Sequence, residues 1–310
     1  MMKHISVVVP VYRSEKTLGE LHARLDAVLR SMQCSYEIIF VDDCGGGATW
    51  EVITGLVARH EHVIGVKLSR NFGQQAATIC GFHKASGEWV VTIDDDLEQS
   101  PECIIDLYNK AQQGYPVVYG IYAERTHAWW RNMTSRLVKK LFKIAIPSLN
   151  HEYTSFRLMR CDIAKKICEF TSPFPFIDGY VSWITNNYAT VSVKHNERAS
   201  GRSNYSIRKL IDLAVNTFVT FSDLPLKFAS YAGITAFLTG MVWLVCILFG
   251  RIFGMITVSG YSSLMAGILL FGGIQLLILG IFGEYLGRIS FKTSSKPLFI
   301  IETMQSGRTE

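Results

Sequence analysis

Two long stretches of this chain carry no charge. Phe228 to Gly250 is an uncharged run of 23 residues, and after Arg251 a second run of 32 extends from Ile252 to Gly283. A helix needs about 20 apolar residues to cross a bilayer, and helices in soluble cores rarely run so far without a charged position. The runs therefore predict two transmembrane helices, at about 228–250 and 262–283, joined by a polar, glycine-containing turn (Thr257, Ser259, Gly260, Ser262, Ser263). Arg202, Arg208, Lys209 and Lys227 precede the first, Arg288, Lys292 and Lys296 follow the second, and Arg251 stands alone between them. Basic residues stay on the cytoplasmic side, so the expectation is a multi-pass protein of the inner (plasma) membrane with both termini cytoplasmic. Two spans are too few for a transporter and read as an anchor.

The composition agrees with a membrane-attached globular protein. Of the 310 residues 49% are hydrophobic and 18% charged, against about 25% charged in an ordinary soluble domain; disorder, collagen and coiled coil are excluded. A net charge of +5 is too weak to argue for nucleic acid, and none is expected as a partner. The seven cysteines form no CxxC pair, which is poor material for a disulfide framework or a cysteine zinc site and fits a reducing compartment. The start, Met-Met-Lys-His followed at once by Ile5–Val11, does not read as a secretory leader.

Residues 1–205 have a different rhythm. Short β-branched runs at 5–10, 37–41, 63–68 and 88–93 alternate with stretches of helical apolar spacing at 15–32, 50–59 and 74–85. That alternation predicts an α/β domain around a parallel sheet. Polar and glycine residues gather just past the strands, where such sheets bind ligands. Arg125–Lys143 and Ser206–Phe221 are basic and amphipathic, interleaving Arg131, Lys139, Arg208 and Lys209 with Trp129, Trp130, Leu210 and Phe218. Helices of this kind lie among lipid headgroups, with membrane lipids as partners.

Chemistry concentrates at two strand ends. Ile93-Asp94-Asp95-Asp96-Leu97 puts three carboxylates after an apolar strand. Adjacent anions repel and need a cation or water, and Asp94 and Asp96 offer the hard oxygens that hold Mg2+ or Mn2+ against a diphosphate. Asp42 and Asp43 follow an earlier strand and offer acceptors of the kind a ribose or a base edge requires. Gly45–Gly47 suggests a phosphate cradle, yet neither GxGxxG nor GxxxxGK[ST] is present, which weighs against a dinucleotide or P-loop site.

Taken in order, Val-Val-Pro-Val-Tyr (8–12), Val-Asp-Asp (41–43), Leu-Ser-Arg-Asn-Phe-Gly-Gln (68–74), Asp-Asp-Asp-Leu-Glu-Gln-Ser-Pro-Glu (94–102), Ser-Phe-Arg-Leu-Met (155–159), Glu-Arg-Ala-Ser-Gly-Arg-Ser-Asn-Tyr (197–205), Asp-Leu-Pro-Leu-Lys (223–227) and Gly-Glu-Tyr-Leu-Gly-Arg-Ile (283–289) span the chain. The set resembles the family-2, GT-A-fold polyprenyl-phosphate glycosyltransferases, similar to bactoprenol glucosyltransferases and dolichol-phosphate mannose synthase. The resemblance implies a GT-A-like cytoplasmic domain (1–205), a juxtamembrane amphipathic helix (206–227), a two-helix transmembrane hairpin (228–286) and a cytoplasmic tail (287–310). It further implies inverting transfer of a sugar from a nucleotide-sugar, a UDP-hexose, to polyprenyl (undecaprenyl) phosphate, with a divalent metal, and makes a homo-oligomer reasonable. Pro10, Tyr12, Glu15, Asp42, Asp43, Arg70 and Asp95 would hold the nucleotide-sugar. Asp94 and Asp96 would hold the metal and diphosphate, while Arg125, Arg198, Arg202, Ser203 and Tyr205 would meet the phosphates of donor and lipid. Arginine fits because its planar fork matches phosphate oxygens.

Some positions depart from the family pattern. Ser14 takes one common acidic position, with Glu15 next to it. Tyr122 stands where relatives often have Arg, Ser155 where many carry an Asp proposed as base, and Asn204 where Lys is usual. Two other readings are a polysaccharide-extending transferase and a non-catalytic scaffold. The first usually shows Gln-x-x-Arg-Trp, which Trp129-Trp130-Arg131 does not satisfy; the second has no need of clustered carboxylates.

Overall fold

The structure, a computed structural model, describes residues 5–122, 153–170, 172, 175–193, 224–253, 260–293 and 296–307. The chain forms two compact units, one of residues 1–211 with 296–310 and one of residues 212–295.

The first unit is built on an eight-stranded sheet, β1 (Ile5–Val11), β2 (Tyr36–Asp42), β3 (Val63–Leu68), β4 (Trp89–Thr92), β5 (Val117–Tyr122), β6 (Arg157–Arg160), β7 (Ala189–Val193) and β8 (Ile301–Ser306), in the order β7-β5-β6-β4-β1-β2-β3-β8. All seven residues of β1 are buried, as expected of a central parallel strand covered on both faces. Its odd-numbered residues (Ile5, Val7, Val9, Val11) join the core under α1 (Leu18–Ser31), α2 (Thr49–Arg59) and α4 (Ile104–Ala111). On the opposite face α3 (Gln74–Lys84) packs so closely that a Cβ on Gly81 would come within 2.2 Å of a Val8 methyl. α5 (Cys161–Cys168) flanks α3, its Lys165 Nζ donating to the Phe82 carbonyl at 2.8 Å, and α6 (Ile177–Ile184) follows α5 in the chain.

The expectation of a parallel sheet holds for β1, β2, β3 and β4 and for the β5–β7 pair. It needs correction elsewhere. β6 runs antiparallel between β4 and β5, and β8 antiparallel along β3. Both short strands lack a continuous apolar run, and β8 carries charge and polarity (Glu302, Thr303, Gln305) because it lies at the sheet edge. The last residues, expected as a tail, thus complete the sheet of the first unit.

The second unit holds two long helices, α7 (Leu224–Ile252, 29 residues) and α8 (Tyr261–Thr293, 33 residues). They meet at small residues: a Cβ on Gly240 would lie 3.5 Å from the Phe271 ring, and one on Gly233 3.7 Å from Ile278. Several side chains inside both helices lie outside the described residues, and over the described residues no helix is long and apolar enough to cross a membrane.

Candidate active site

The site begins where β1 and β4 part. Their pairing ends at Val8–Thr92, with a last hydrogen bond from Ile93 N to Val8 O (3.2 Å). Backbone groups of alternate residues face the same neighbour, so the position of Pro10, two residues on, faces the strand that has just diverged. Its missing N–H therefore costs no ladder bond there, while β1 stays paired with β2 through Val11–Asp42. The gap is a crevice at the carboxyl ends of the strands, the usual ligand position in such sheets.

Four loops line it, and each turns through a left-handed residue. Arg13 (φ 57°), Cys44 (φ 53°) and Leu97 (φ 64°) follow β1, β2 and β4, and Gly73 (φ 91°) precedes α3. Non-glycine residues hold such angles at a cost of about 1–3 kcal/mol and keep them only where neighbours enforce them. The neighbours are visible. Arg13 Nε donates to Gly45 O at 2.9 Å, and a Cβ on Gly45 would lie 2.6 Å from Arg13 N. The first glycine of the 45–47 run is thus a contact between two loop backbones.

The acidic residues stitch these loops together. Asp95 Oδ2 accepts from Tyr12 N (2.9 Å) and Ser14 Oγ (2.5 Å), and the Asp95 carbonyl accepts from Thr17 Oγ1 (2.6 Å). Asp43 receives Phe72 N (2.7 Å) and Gly73 N (2.8 Å), fixing the entry to α3. Asp42 receives Gly45 N (3.2 Å), and Glu15 accepts from Thr49 Oγ1 (3.2 Å). Asp42 and Asp43 are buried, and burial pushes both carboxyls above their ordinary range.

Asp94 is the most enclosed in interactions. Oδ1 accepts from Gln74 Nε2 (2.6 Å); Oδ2 accepts from Gln99 Nε2 (2.7 Å) and Ser155 Oγ (2.5 Å); its N–H donates to Gln99 Oε1 (2.9 Å). Burial above all, and then repulsion from Asp96 and Asp95, raises its pKa to about 6 in spite of the Ser155 hydrogen bond. Asp96 Oδ1 accepts the backbone N–H of Glu98 at 3.1 Å. The chemistry of this donor set fits a hard divalent cation: two carboxylates one residue apart, with a proton affinity at Asp94 that positive charge would relieve.

Behind the triplet lies a buried ion pair. Arg157 and Asp178, 2% and 5% exposed, bond directly, and Arg157 Nε reaches Thr92 Oγ1 at 3.2 Å. Tyr119 hydrogen-bonds to both members, and burial, then Asp178, drives its pKa well up. This guanidinium favours the ionised form of Asp94 from beneath.

Of the residues expected from sequence, the structure brings Pro10, Tyr12, Glu15, Asp42, Asp43, Asp94, Asp95 and Asp96 to one rim. Tyr12 is 38% exposed there. Arg70, exposed beyond β3, stacks its guanidinium 4.7 Å from the Phe72 ring. Arg125, Arg198, Arg202, Ser203 and Tyr205 lie outside the described residues, as do the two basic amphipathic stretches. Sequence reasoning passed over Gln74, Gln99 and Tyr122 as site residues and set Ser155 aside as a missing base. Gln74 and Gln99 lie within the family motifs at 68–74 and 94–102, which were the available signal. Tyr122, hydrogen-bonded to Gln99, is pushed up by burial and by the charges of Asp94, Glu98 and Asp96.

Comparison with known proteins agrees with this geometry. Residues 6–168 match the family described as Glycosyl transferase family 2. The chain is 35% identical over 309 residues to the Uncharacterized glycosyltransferase YkcC of Bacillus subtilis, covering 97% of this chain and 95% of that one. It is 34% identical over 302 residues to the undecaprenyl-phosphate 4-deoxy-4-formamido-L-arabinose transferase of Pseudomonas aeruginosa, covering 96% and 89%. Among solved structures it resembles glucosyl-3-phosphoglycerate synthase of Mycobacterium tuberculosis in complex with Mn2+, UDP-glucose and phosphoglyceric acid, at a TM-score of 0.53 and 17% identity over 70% of this chain and 78% of that one. That likeness shows a shared GT-A-like fold.

Proposed function

We propose, from the premise that the chain belongs to glycosyl transferase family 2 and is a glycosyltransferase, that it moves a sugar from a UDP-sugar to polyprenyl phosphate with inversion. The observation that carries the reading is the acidic triplet at the mouth of the β1–β4 crevice, with Asp94 and Asp95 fixed by five side-chain and backbone donors and Asp96 beside them. The acceptor reading is supported by the relative named for undecaprenyl phosphate, which matches nearly end to end. The donor reading is supported by the fold neighbour solved with UDP-glucose and Mn2+.

Asp94 and Asp96 would hold a divalent cation, Mg2+ or Mn2+. When bound, it supplies positive charge to the departing diphosphate. The chain's own work is positioning. Pro10, Tyr12, Asp42, Asp43 and Arg70 frame the nucleoside, and the hydrogen bonds of Asp43 and Asp95 keep their loops in place before substrate arrives. An oxygen of the lipid phosphate attacks the anomeric carbon as the bond from that carbon to the diphosphate oxygen breaks, and UDP leaves. A phosphate monoester has its second pKa near 6, so at neutral pH the nucleophile needs no proton removed. Ser155 in place of a carboxylate is compatible with such a step. Arg125, Arg198, Arg202, Ser203 and Tyr205 are proposed to meet the phosphates.

The hairpin α7–α8 is proposed to lie across the inner membrane. At about 1.5 Å per residue each helix exceeds the roughly 30 Å of a bilayer core, and Tyr231, Val242, Leu264 and Leu276 are each more than 60% exposed. β8 pairs within the same sheet as β1, which supports an even number of crossings with the chain before and after the hairpin on one side.

The test is incubation of the purified protein with undecaprenyl phosphate and a panel of labelled UDP-sugars, followed by extraction of the lipid. A labelled glycolipid that is lost on chelation and restored by Mn2+ is the expected product. Free sugar with no labelled lipid from any donor would overturn the acceptor assignment.

A further inference from the structure

Three histidines meet away from the acidic crevice. His22 lies on α1, His60 caps α2 and His62 immediately precedes β3. Their ring centroids are 4.2 Å (His22–His60), 5.6 Å (His22–His62) and 5.6 Å (His60–His62) apart. One nitrogen from each ring lies within 4.8 Å of the other two. His22 is 4% exposed and its Nε2 has no hydrogen-bond partner, while Nε2 of His62 faces Asp26 Oδ1 at 3.1 Å and leaves the other ring nitrogen to the cluster. An orphaned buried imidazole nitrogen forfeits its hydration, and that of His22 belongs to a ring packed against the other two.

From this arrangement we infer that His22, His60 and His62 form a second metal site, distinct from the acidic triplet, that binds a transition-metal ion of the Zn2+ type. Three imidazoles suit Zn2+, Cu2+ or Ni2+, whereas the oxygen-only triplet suits Mg2+ or Mn2+. Nitrogens bound tetrahedrally at about 2.0–2.1 Å lie roughly 3.4 Å from one another, so from separations within 4.8 Å the rings need to close by up to about 1.4 Å, within reach of small rotations.

The backbone under the cluster is already fixed. His62 O accepts from Ile38 N (2.9 Å), His60 O accepts from Val63 N (3.1 Å), and Gly307 packs so tightly that a Cβ there would fall 2.4 Å from His60 O. Asp26 stands beside His62, held by Tyr36 OH and by Arg30 Nε at 2.9 Å, in the place of the carboxylates that orient metal-bound histidines. His60 and His62 are only partly buried and give an entry path. An ion here would clamp α1 to the α2–β3 connection.

The experiment uses full-length protein without a polyhistidine tag, stripped with chelator and titrated with Zn2+ alone. One equivalent is expected to bind and to raise the melting temperature, and Co2+ in its place is expected to give the visible absorption of tetrahedral nitrogen coordination. Asp96→Asn should keep this equivalent. His60→Gln and His62→Gln, at partly buried positions, should each weaken it at least about tenfold and abolish the thermal shift. Wild-type protein that binds no Zn2+ overturns the site, as does binding that survives both histidine substitutions.

Discussion

At the scale of single residues, the three adjacent aspartates do different work. Asp95 holds the β1 loop, Asp94 is locked among Gln74, Gln99 and Ser155, and Asp96 keeps a carboxylate bonded to its own turn. Asp96→Asn removes one anionic ligand and little structure, so transfer should fall by about 10²-fold or more with the circular dichroism spectrum unchanged; retained activity in the glycolipid assay would remove Asp96 from the metal site. Burial raises Asp94 to about 6, so its native state takes up a proton as pH falls through that value while an unfolded aspartate would still be ionised. Affinity for Mn2+ should accordingly drop between about pH 7 and about pH 5, measured by calorimetry, since a protonated carboxyl is a poor ligand. Ser155→Ala deletes a hydrogen bond that favours the ionised form, so this loss of affinity should move to higher pH. The metal-binding candidates were legible in the sequence because clustered carboxylates after an apolar run are uncommon. The bracing roles were not, because the partners of Asp95 and Asp43 are backbone N–H groups distant in the chain, at Tyr12 and Phe72.

At the scale of elements, the first four strands and first three helices fall within a few residues of where periodicity puts them. β1 extends one residue past Pro10, and α1 starts at Leu18 rather than at Glu15 because Ser14 and Thr17 are spent on the active-site loop. What periodicity could not read is β6 and β8, short and partly polar strands whose pairing is decided by the sheet around them. Their antiparallel entry is what turns a parallel α/β core into a mixed sheet. Packing between layers is equally specific. Gly81→Ala would gain about 1 kcal/mol of helix propensity but drive a methyl into Val8; overpacking costs about 1–3 kcal/mol, so a net loss of about 1 kcal/mol is expected in urea denaturation. A more stable variant would mean that α3 can move off β1 without penalty.

At the scale of the whole molecule, one edge of the sheet is covered by a strand that follows both long helices in the chain. β8 covers the otherwise open edge of β3 from Ile64 to Leu68, and exposed edges recruit other strands. Deleting residues 300–310 should therefore yield aggregated protein with little soluble monomer by size exclusion, although every site residue is retained; a monodisperse, active product would show that edge to be self-sufficient. The order of synthesis gives this closure a further meaning. Between the end of β3 and the start of β8 the ribosome must make both long hydrophobic helices, so the last rung of the enzyme's sheet cannot form until they have emerged. Maturation of the catalytic unit is thereby timed to follow synthesis of both helices, and a chain arrested within either helix remains an unfinished enzyme with an open edge.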